Sequence, residues 1–292
     1  MARIHFLGVG KMGLPMASHL QGAGHEVTVS DPSADRLALA RGAGLTVAEA
    51  GALAQAEFVF SSLPNDAALQ AVGEQVAQSA SAGAIYVDTS TVSLAASARV
   101  AELCSARGVA YLRTTVSGNN KMAEAAQLTV MASGPRAAYD RCEPLLACWG
   151  PQRFYLGEGE QARLMKLVVN LLIAQTSAML AEGLTLGRKG GLDWQDMWQV
   201  LCASAVGSPI LKAKSVQLSQ RDFTPTFTVE QMIKDLELIV GAARDVHAPL
   251  PQTAATLQLM HAAVAQGQAL DDYAAIIQAV ERSAGLPTEF KP

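Results

Sequence analysis

The chain has 292 residues, enough for about two domains and a large core, and half of them are hydrophobic while 16% are charged, which excludes a disordered protein. A net charge of −4 and a pI near 5.7 argue against non-specific nucleic-acid binding. Cys104, Cys142, Cys148, Cys202 and five scattered histidines show no metal-ligand spacing, and MARIHFLGVG enters a strand without room for a signal peptide, so the expectation is a metal-free protein in the reducing cytoplasm.

Arg3 to Leu7 reads as a short strand running into Gly8-Val9-Gly10-Lys11-Met12-Gly13, then a helical pattern to about Gln21 that Gly22 and Gly24 close. Residues 25–30 read as a second strand ending in Asp31. Strand, G-x-G-x-x-G, helix, strand and acid in this order point to a dinucleotide site. Gly8 makes the tight turn, Gly10 lets backbone approach a pyrophosphate, and Gly13 lets helix and strand pack closely. The helix N-terminus offers N–H groups and positive dipole to the phosphates. Asp31 is placed to accept both adenosine ribose hydroxyls; a turn or capping role beside Ser33 is its alternative.

Alternation continues, with strands expected at 45–47, 57–63, 84–88, 109–112, 128–132 and 153–156, and helices at 65–78, 94–107 and 136–148. This is the rhythm of a parallel, doubly wound sheet, in which ligands bind at the C-terminal strand ends. Those ends hold Leu63-Pro64, Thr89-Ser90-Thr91 and Thr115-Val116-Ser117-Gly118-Asn119. Strand termination by Pro64 and helix capping by Ser90 or Thr91 are the plainer readings of those residues.

Residues 159–190 read as one helix of about 45 Å, with Glu158 and Glu160 at its start, Arg188 and Lys189 in its last turn, and Gly190-Gly191 as its stop. From Leu164 to Ile173 it is apolar nearly all round, which predicts burial on both sides. Lys166 and Asn170 lie one turn apart on one face of that run. A buried ammonium is costly unless it is paired or loses its proton; snorkelling to the surface is the alternative. A membrane span fits the length, but Lys166, Asn170 and Gln175 argue against it. Helical patterns then follow at 194–202, 208–218, 229–246, 252–265 and 271–283. The third has a capping box at Thr228 and Gln231 and an apolar stripe of Met232, Ile233, Leu236, Ile239, Val240 and Ala243, which leaves Lys234-Asp235 on a solvated face. These patterns divide the chain into a domain at 1–160 and an all-helical domain at 161–292.

FLGVGKMGLPMASHL, SSLP, DTST, VSG with LTVM after it, MKLVVN and IKDLEL, in this order, resemble the β-hydroxyacid dehydrogenases. That family includes 3-hydroxyisobutyrate dehydrogenase and tartronate semialdehyde reductase and is related to 6-phosphogluconate dehydrogenase. The resemblance implies an N-terminal Rossmann domain, a long interdomain helix, and a helical C-terminal domain that contributes to the pocket and to a homodimer or homotetramer. It makes Lys166 the catalytic lysine and Asn170 the substrate-orienting asparagine. It assigns Ser117 and Gly118 to the substrate, with Asn119 and Lys121 beside them. Thr91 and Lys234 would contact the nicotinamide half of the cofactor, Leu63 and Pro64 its flank, and Gly8, Val9, Gly10, Lys11, Met12, Gly13 and Asp31 its adenosine and pyrophosphate. The chain departs from the family's D-A-P-V-S-G-G, which here is Arg113-Thr114-Thr115-Val116-Ser117-Gly118-Asn119.

The activity implied is reversible hydride transfer between nicotinamide and a small β-hydroxyacid or its semialdehyde, with Lys166 as general base or acid. As a base it must be neutral, so its pKa must fall from about 10.4 toward 7–8. NAD is expected over NADP, because Asp31 would repel a 2′-phosphate, although Arg36 lies near enough to reach one. The substrate is expected to be a small anion, probed by backbone N–H groups at Ser117-Gly118, with Arg113 and Lys121 either adding positive potential or facing solvent. Neither nucleic acid nor a membrane is an expected partner. The rivals are an imine reductase, against which Lys166 counts, and a non-catalytic dinucleotide-binding protein.

Overall fold

The computed structural model describes residues 1–287 and turns that alternation into a three-layered first unit, Met1–Leu167. In chain order it carries β1 (Arg3–Leu7), α1 (Gly13–Gly22), β2 (Glu26–Ser30), α2 (Ala34–Gly42), β3 (Thr46–Val47), α3 (Ala52–Gln55), β4 (Phe58–Ser61) and α4 (Asp66–Ser79). After these come β5 (Ile85–Asp88), α5 (Leu94–Ser105), β6 (Ala110–Ser117), α6 (Asn120–Glu124), β7 (Thr129–Ser133), α7 (Arg136–Leu146) and β8 (Gln152–Tyr155). The strands form one sheet in the order β3-β2-β1-β4-β5-β6-β7-β8. The chain winds outward from β1 to β3 and then returns to the other side of β1, so the ends of β1 and β4 flank the point where the winding reverses.

Both faces of the sheet are covered, which explains why its strands read as nearly continuous apolar runs. Ile4, Phe6, Val29 and Phe60 pack on one side with Met16, Leu20 and Trp149, while Leu7, Val59 and Tyr86 pack on the other with Leu69, Val76 and Val100. Trp149 meets Phe60 edge-on at 5.4 Å, and its indole N–H donates to the Met16 carbonyl at 3.0 Å.

The sheet departs from a purely parallel one at one pair, since β6 runs antiparallel to β7. The eleven-residue link between Ser117 and Thr129 holds only the five-residue α6, at the short limit of the dozen or so residues that a parallel crossover needs. β6 also continues to Ser117, well past the expected end at 112, because Thr114 to Val116 pair with β7. Neither α3 nor α6 is legible in the sequence; both are about one turn long, too short to display a period.

α8 (Gln161–Lys189) runs through the boundary between the two compact units, which falls after Leu167. Among the described residues it is the one helix long and apolar enough to cross a membrane by length and composition. It is not apolar because it is buried all round: Leu164, Met165, Val168 and Leu172 are 40% to 60% exposed. The expected burial of both sides is therefore wrong for this stretch.

The second unit, from Val168 onward, continues with α9 (Trp194–Ala203), α10 (Pro209–Leu218), α11 (Val229–Asp245), α12 (Pro251–Ala265) and α13 (Ile276–Ser283). The capping box at Thr228 and Gln231 is present, and Met232, Leu236, Ile239 and Ala243 are buried as the stripe requires. The expected helix at 271–283 is broken: a 3₁₀ turn, Tyr273–Ala275, precedes α13. Asp272 causes the break, because its carboxylate accepts from the Ala274 and Thr226 N–H groups and from Lys214 Nζ, holding the chain in a turn.

Candidate active site

The glycine-rich turn sits at the end of β1. Gly8 has φ +87°, and a Cβ there would lie 2.4 Å from the Ser62 carbonyl oxygen. A Cβ on Gly13 would lie 2.0 Å from the Gly8 carbonyl oxygen, so the helix can start this close to the strand only without a side chain. Gly10 differs: a Cβ there meets nothing within 4 Å. Its bareness serves no contact inside the protein, and the open space fits an approaching pyrophosphate. Val9, Lys11 and Met12 complete the turn into α1, where the Leu14 N–H donates to the Gly10 carbonyl at 3.1 Å and the Met16 N–H to the Met12 carbonyl at 3.4 Å. Asp31 closes on this loop: one oxygen accepts from the Val9 N–H and the other from the Ser33 N–H, both at 2.9 Å. The local turn role is real, yet a carboxylate has about four acceptor positions, which leaves about two for ribose hydroxyls.

Behind β4 and β5 lies a buried polar network. Asp88 accepts from Ser61 Oγ at 2.5 Å and from Ser90 Oγ at 2.6 Å, and Ser90 Oγ accepts from the Leu63 N–H at 2.8 Å. Ser90 therefore ties the Leu63-Pro64 segment to the segment leading to Thr91, and α5 is capped instead by Ser93. The capping expectation for Ser90 and Thr91 is thereby corrected. Arg163, in the first turn of α8, is buried and ion-paired with Asp88.

Ser117 ends β6, and Gly118 has φ +138°, with Leu128 Cδ2 placed 2.7 Å from where a Cβ would stand. Asn119 caps α6, its side-chain oxygen accepting from the Met122 N–H at 3.0 Å. Lys121 is exposed on α6. Arg113 neither faces solvent nor adds free charge: it is 7% exposed, stacks 4.9 Å from the Tyr111 ring centroid, and donates from Nε to Glu160 at 2.7 Å. Thr115, where the family has proline, donates to the Ala162 carbonyl at 3.0 Å, and the Ala162 N–H donates to Ser133 Oγ at 3.0 Å. The departures at Arg113 and Thr115 thus fasten the start of α8. Glu160 is committed to Arg113, and the helix begins at Gln161.

Lys166 is half-buried on α8. Asn170, one turn further, is 6% exposed and donates from its amide to Asp235 at 2.5 Å. Asp235 is 1% exposed, so the solvated face expected for Lys234-Asp235 holds at most for Lys234, whose Nζ lies 2.9 Å from the Asp235 carboxylate. A carboxylate aimed at the amide fixes which way Asn170 turns. Sequence reasoning gave no buried role to Asp88 or Arg163, read Glu160 only as an acid at the helix start, and put Asp235 on a solvated face. A charged residue directly before an apolar helical run, as Arg163 is, can signal a buried partner, although nothing in the sequence says which.

Residues 3–157 match the family model for the NAD binding domain of 6-phosphogluconate dehydrogenase, and residues 160–280 match that for NAD-binding of NADP-dependent 3-hydroxyisobutyrate dehydrogenase. The chain is 31% identical over 290 residues to 2-(hydroxymethyl)glutarate dehydrogenase of Eubacterium barkeri, covering 97% of this chain and 96% of that one. It is 32% identical over 283 residues to glyoxylate/succinic semialdehyde reductase 2, chloroplastic, of Arabidopsis thaliana, covering 95% and 79%. Among solved structures, 3-hydroxyisobutyrate dehydrogenase of Mycobacterium tuberculosis with L-serine superposes with a TM-score of 0.87 at 28% identity, covering 96% and 99%. An imine reductase from Pseudomonas shares the fold at a TM-score of 0.62 and 23% identity.

Proposed function

The chain belongs to the β-hydroxyacid dehydrogenase family, and from that premise we propose the substrate class it takes and the residues through which it works. It is an NAD(P)-dependent oxidoreductase of small β-hydroxyacids or their semialdehydes. 3-Hydroxyisobutyrate, 2-(hydroxymethyl)glutarate and L-serine, named with two of its relatives, each carry a primary alcohol on the carbon next to the one bearing a carboxylate. The substrate here is of that type, HO–CH₂–CHR–COO⁻.

The observation that carries the reading is the placement of Lys166 and Asn170 one turn apart on α8, with the Asn170 amide already turned by buried Asp235. A nicotinamide cofactor bound at these residues would supply the hydride acceptor for oxidation and the hydride donor for reduction. Lys166 takes the proton from the substrate hydroxyl in oxidation and returns one to the carbonyl oxygen in reduction. One N–H of Asn170 is used by Asp235, and its second N–H holds the same substrate oxygen. Backbone N–H groups around Ser117 and Gly118 hold the carboxylate, with Asn119 and Lys121 at the edge of that loop. Thr91 and Lys234 would hold the nicotinamide half of the cofactor. Asp31 favours NAD over NADP, since a carboxylate and a phosphate about 4 Å apart repel by roughly 1–4 kcal/mol.

The test is steady-state kinetics with a hydroxyacid of this type, its amide and its methyl ester, each with NAD and NADP. The acid is expected to win by about 1.5–3 kcal/mol per charge-assisted bond. Comparable kcat/KM for all three sinks the carboxylate, and equal kcat/KM for the two cofactors sinks the preference for NAD. Reduction of a cyclic imine with no turnover of any hydroxyacid would overturn the reading as a whole.

A further inference from the structure

We propose that Arg163 is a positioning residue for Lys166, setting the rotation of the first turn of α8 against the segments that flank the cofactor. The proposal rests on the reading of Lys166 as proton carrier. Arg163 is 1% exposed. Its Nε donates to Ser97 Oγ at 3.2 Å, one terminal nitrogen donates to the Ser90 carbonyl at 2.5 Å, and the other donates to Asp88 and to Tyr111 Oη, the latter at 2.9 Å. These acceptors belong to α5, β5, β6 and the segment before Thr91. Through Asp88 and Ser90 the same network reaches the Leu63 N–H.

A planar fork engaged on four acceptors has almost no freedom to turn. Stability alone does not call for it, because a buried arginine–carboxylate pair roughly breaks even against apolar residues of the same volume. What the pair supplies is a fixed angle. Lys166 follows Arg163 by three residues, so its Cα lies about 60° around the helix and about 4.5 Å along it. Any rotation of this turn therefore moves the Lys166 ammonium relative to Thr91 and Pro64. A misplacement of about 1 Å at a reacting group costs on the order of 10²-fold in rate. The other ties to this turn, from Thr115 and Ser133 to Ala162 and from Arg113 to Glu160, hold its position along the sheet edge but meet backbone or a flexible carboxylate.

The test compares Arg163→Met and Arg163→Lys, each alone and combined with Lys166→Ala. Arg163→Met is expected to lower kcat on the order of 10- to 100-fold while KM for the cofactor moves less than about threefold. Arg163→Lys, which can hold Asp88 but not all four acceptors, recovers part of that loss. In the Lys166→Ala background, Arg163→Met is expected to change the residual rate by less than about twofold, because an effect exerted through Lys166 vanishes with it. The same factor in both backgrounds, or a single-variant kcat within about threefold of the parent, overturns the proposal. If Lys166→Ala alone loses less than about threefold, the proton-carrier reading fails instead, and this inference falls with it. Should Arg163→Met not fold, the Ser97→Ala/Tyr111→Phe pair removes two of the acceptors with little change in packing. Its kcat loss must likewise disappear in the Lys166→Ala background, and persistence there overturns the proposal.

Discussion

Lys166→Ala is expected to leave NAD affinity nearly unchanged and to lower kcat on the order of 10²- to 10⁴-fold, the usual cost of losing a general acid–base. Cofactor titration beside turnover of the best hydroxyacid checks it, and a kcat above about a third of the parent's would send Lys166 back to a structural role. A different residue adds to acid sensitivity. His5 on β1 is buried against Thr28 and Ser30, hydrogen-bonding Thr28 Oγ1 at 2.9 Å, and burial lowers its pKa from 6.5 to about 4. Below pH 6.5 the unfolded chain binds a proton at this ring that the native chain refuses until about 4, so stability falls as pH falls through that window. The full drop corresponds to about 3 kcal/mol. Urea midpoints at pH 7 and pH 4.5 should therefore converge for His5→Gln more than for the parent, and parallel shifts in both proteins would acquit His5.

At the scale of elements, the glycine turn separates two kinds of damage. Gly13→Ala places a Cβ 2.0 Å from the Gly8 carbonyl oxygen, so β1 and α1 must part. It is expected to lower Tm and cofactor affinity together. Gly10→Ala meets no protein atom within 4 Å and has no left-handed φ to satisfy, so it should leave Tm of the cofactor-free protein unchanged while raising KM for the cofactor tenfold or more, about 1.4 kcal/mol. A loss of Tm in Gly10→Ala would show that its bareness serves the fold. All eight strands were legible in the sequence, because β-branched and aromatic runs between glycines leave little choice. The ends were less so: β6 reaches Ser117 only because β7 pairs with it, a fact no local pattern carries. Lys234-Asp235 failed for a related reason. Periodicity places Asp235 beside the stripe of α11, and only tertiary contact with Asn170 draws it inside.

Over the whole molecule, some of the charges that the sequence scattered fall into buried clusters. In the second unit Glu281 is fully buried and pairs with Arg188 from the end of α8 and with Arg221 after α10, the latter through both carboxylate oxygens at 2.8 Å. Glu281→Ala strands two arginines in the interior and is expected to destabilise this unit by about 3–5 kcal/mol, read as an earlier thermal transition. An unchanged transition would mean that water already serves those guanidinium groups. Such pairings join residues 60 and 93 positions apart and were invisible in sequence, as was the pairing of Arg113 with Glu160. The roles of Gly8 in the turn and of Gly13 in the close approach of α1 to β1 were legible because they depend on spacing alone.

α8 also constrains how this chain can change in length. Each residue in it turns the helix by about 100°, so a single insertion between Arg163 and Lys166 swings the lysine a quarter-turn or more away from its bearing while leaving every side chain in place. Seven inserted residues bring it back to within about 20° but about 10 Å farther along. No small insertion restores both angle and reach. With Arg163 positioning Lys166 as proposed, the first turn of α8 is closed to insertions and deletions of any size, whereas an exposed loop lengthens at little entropic cost.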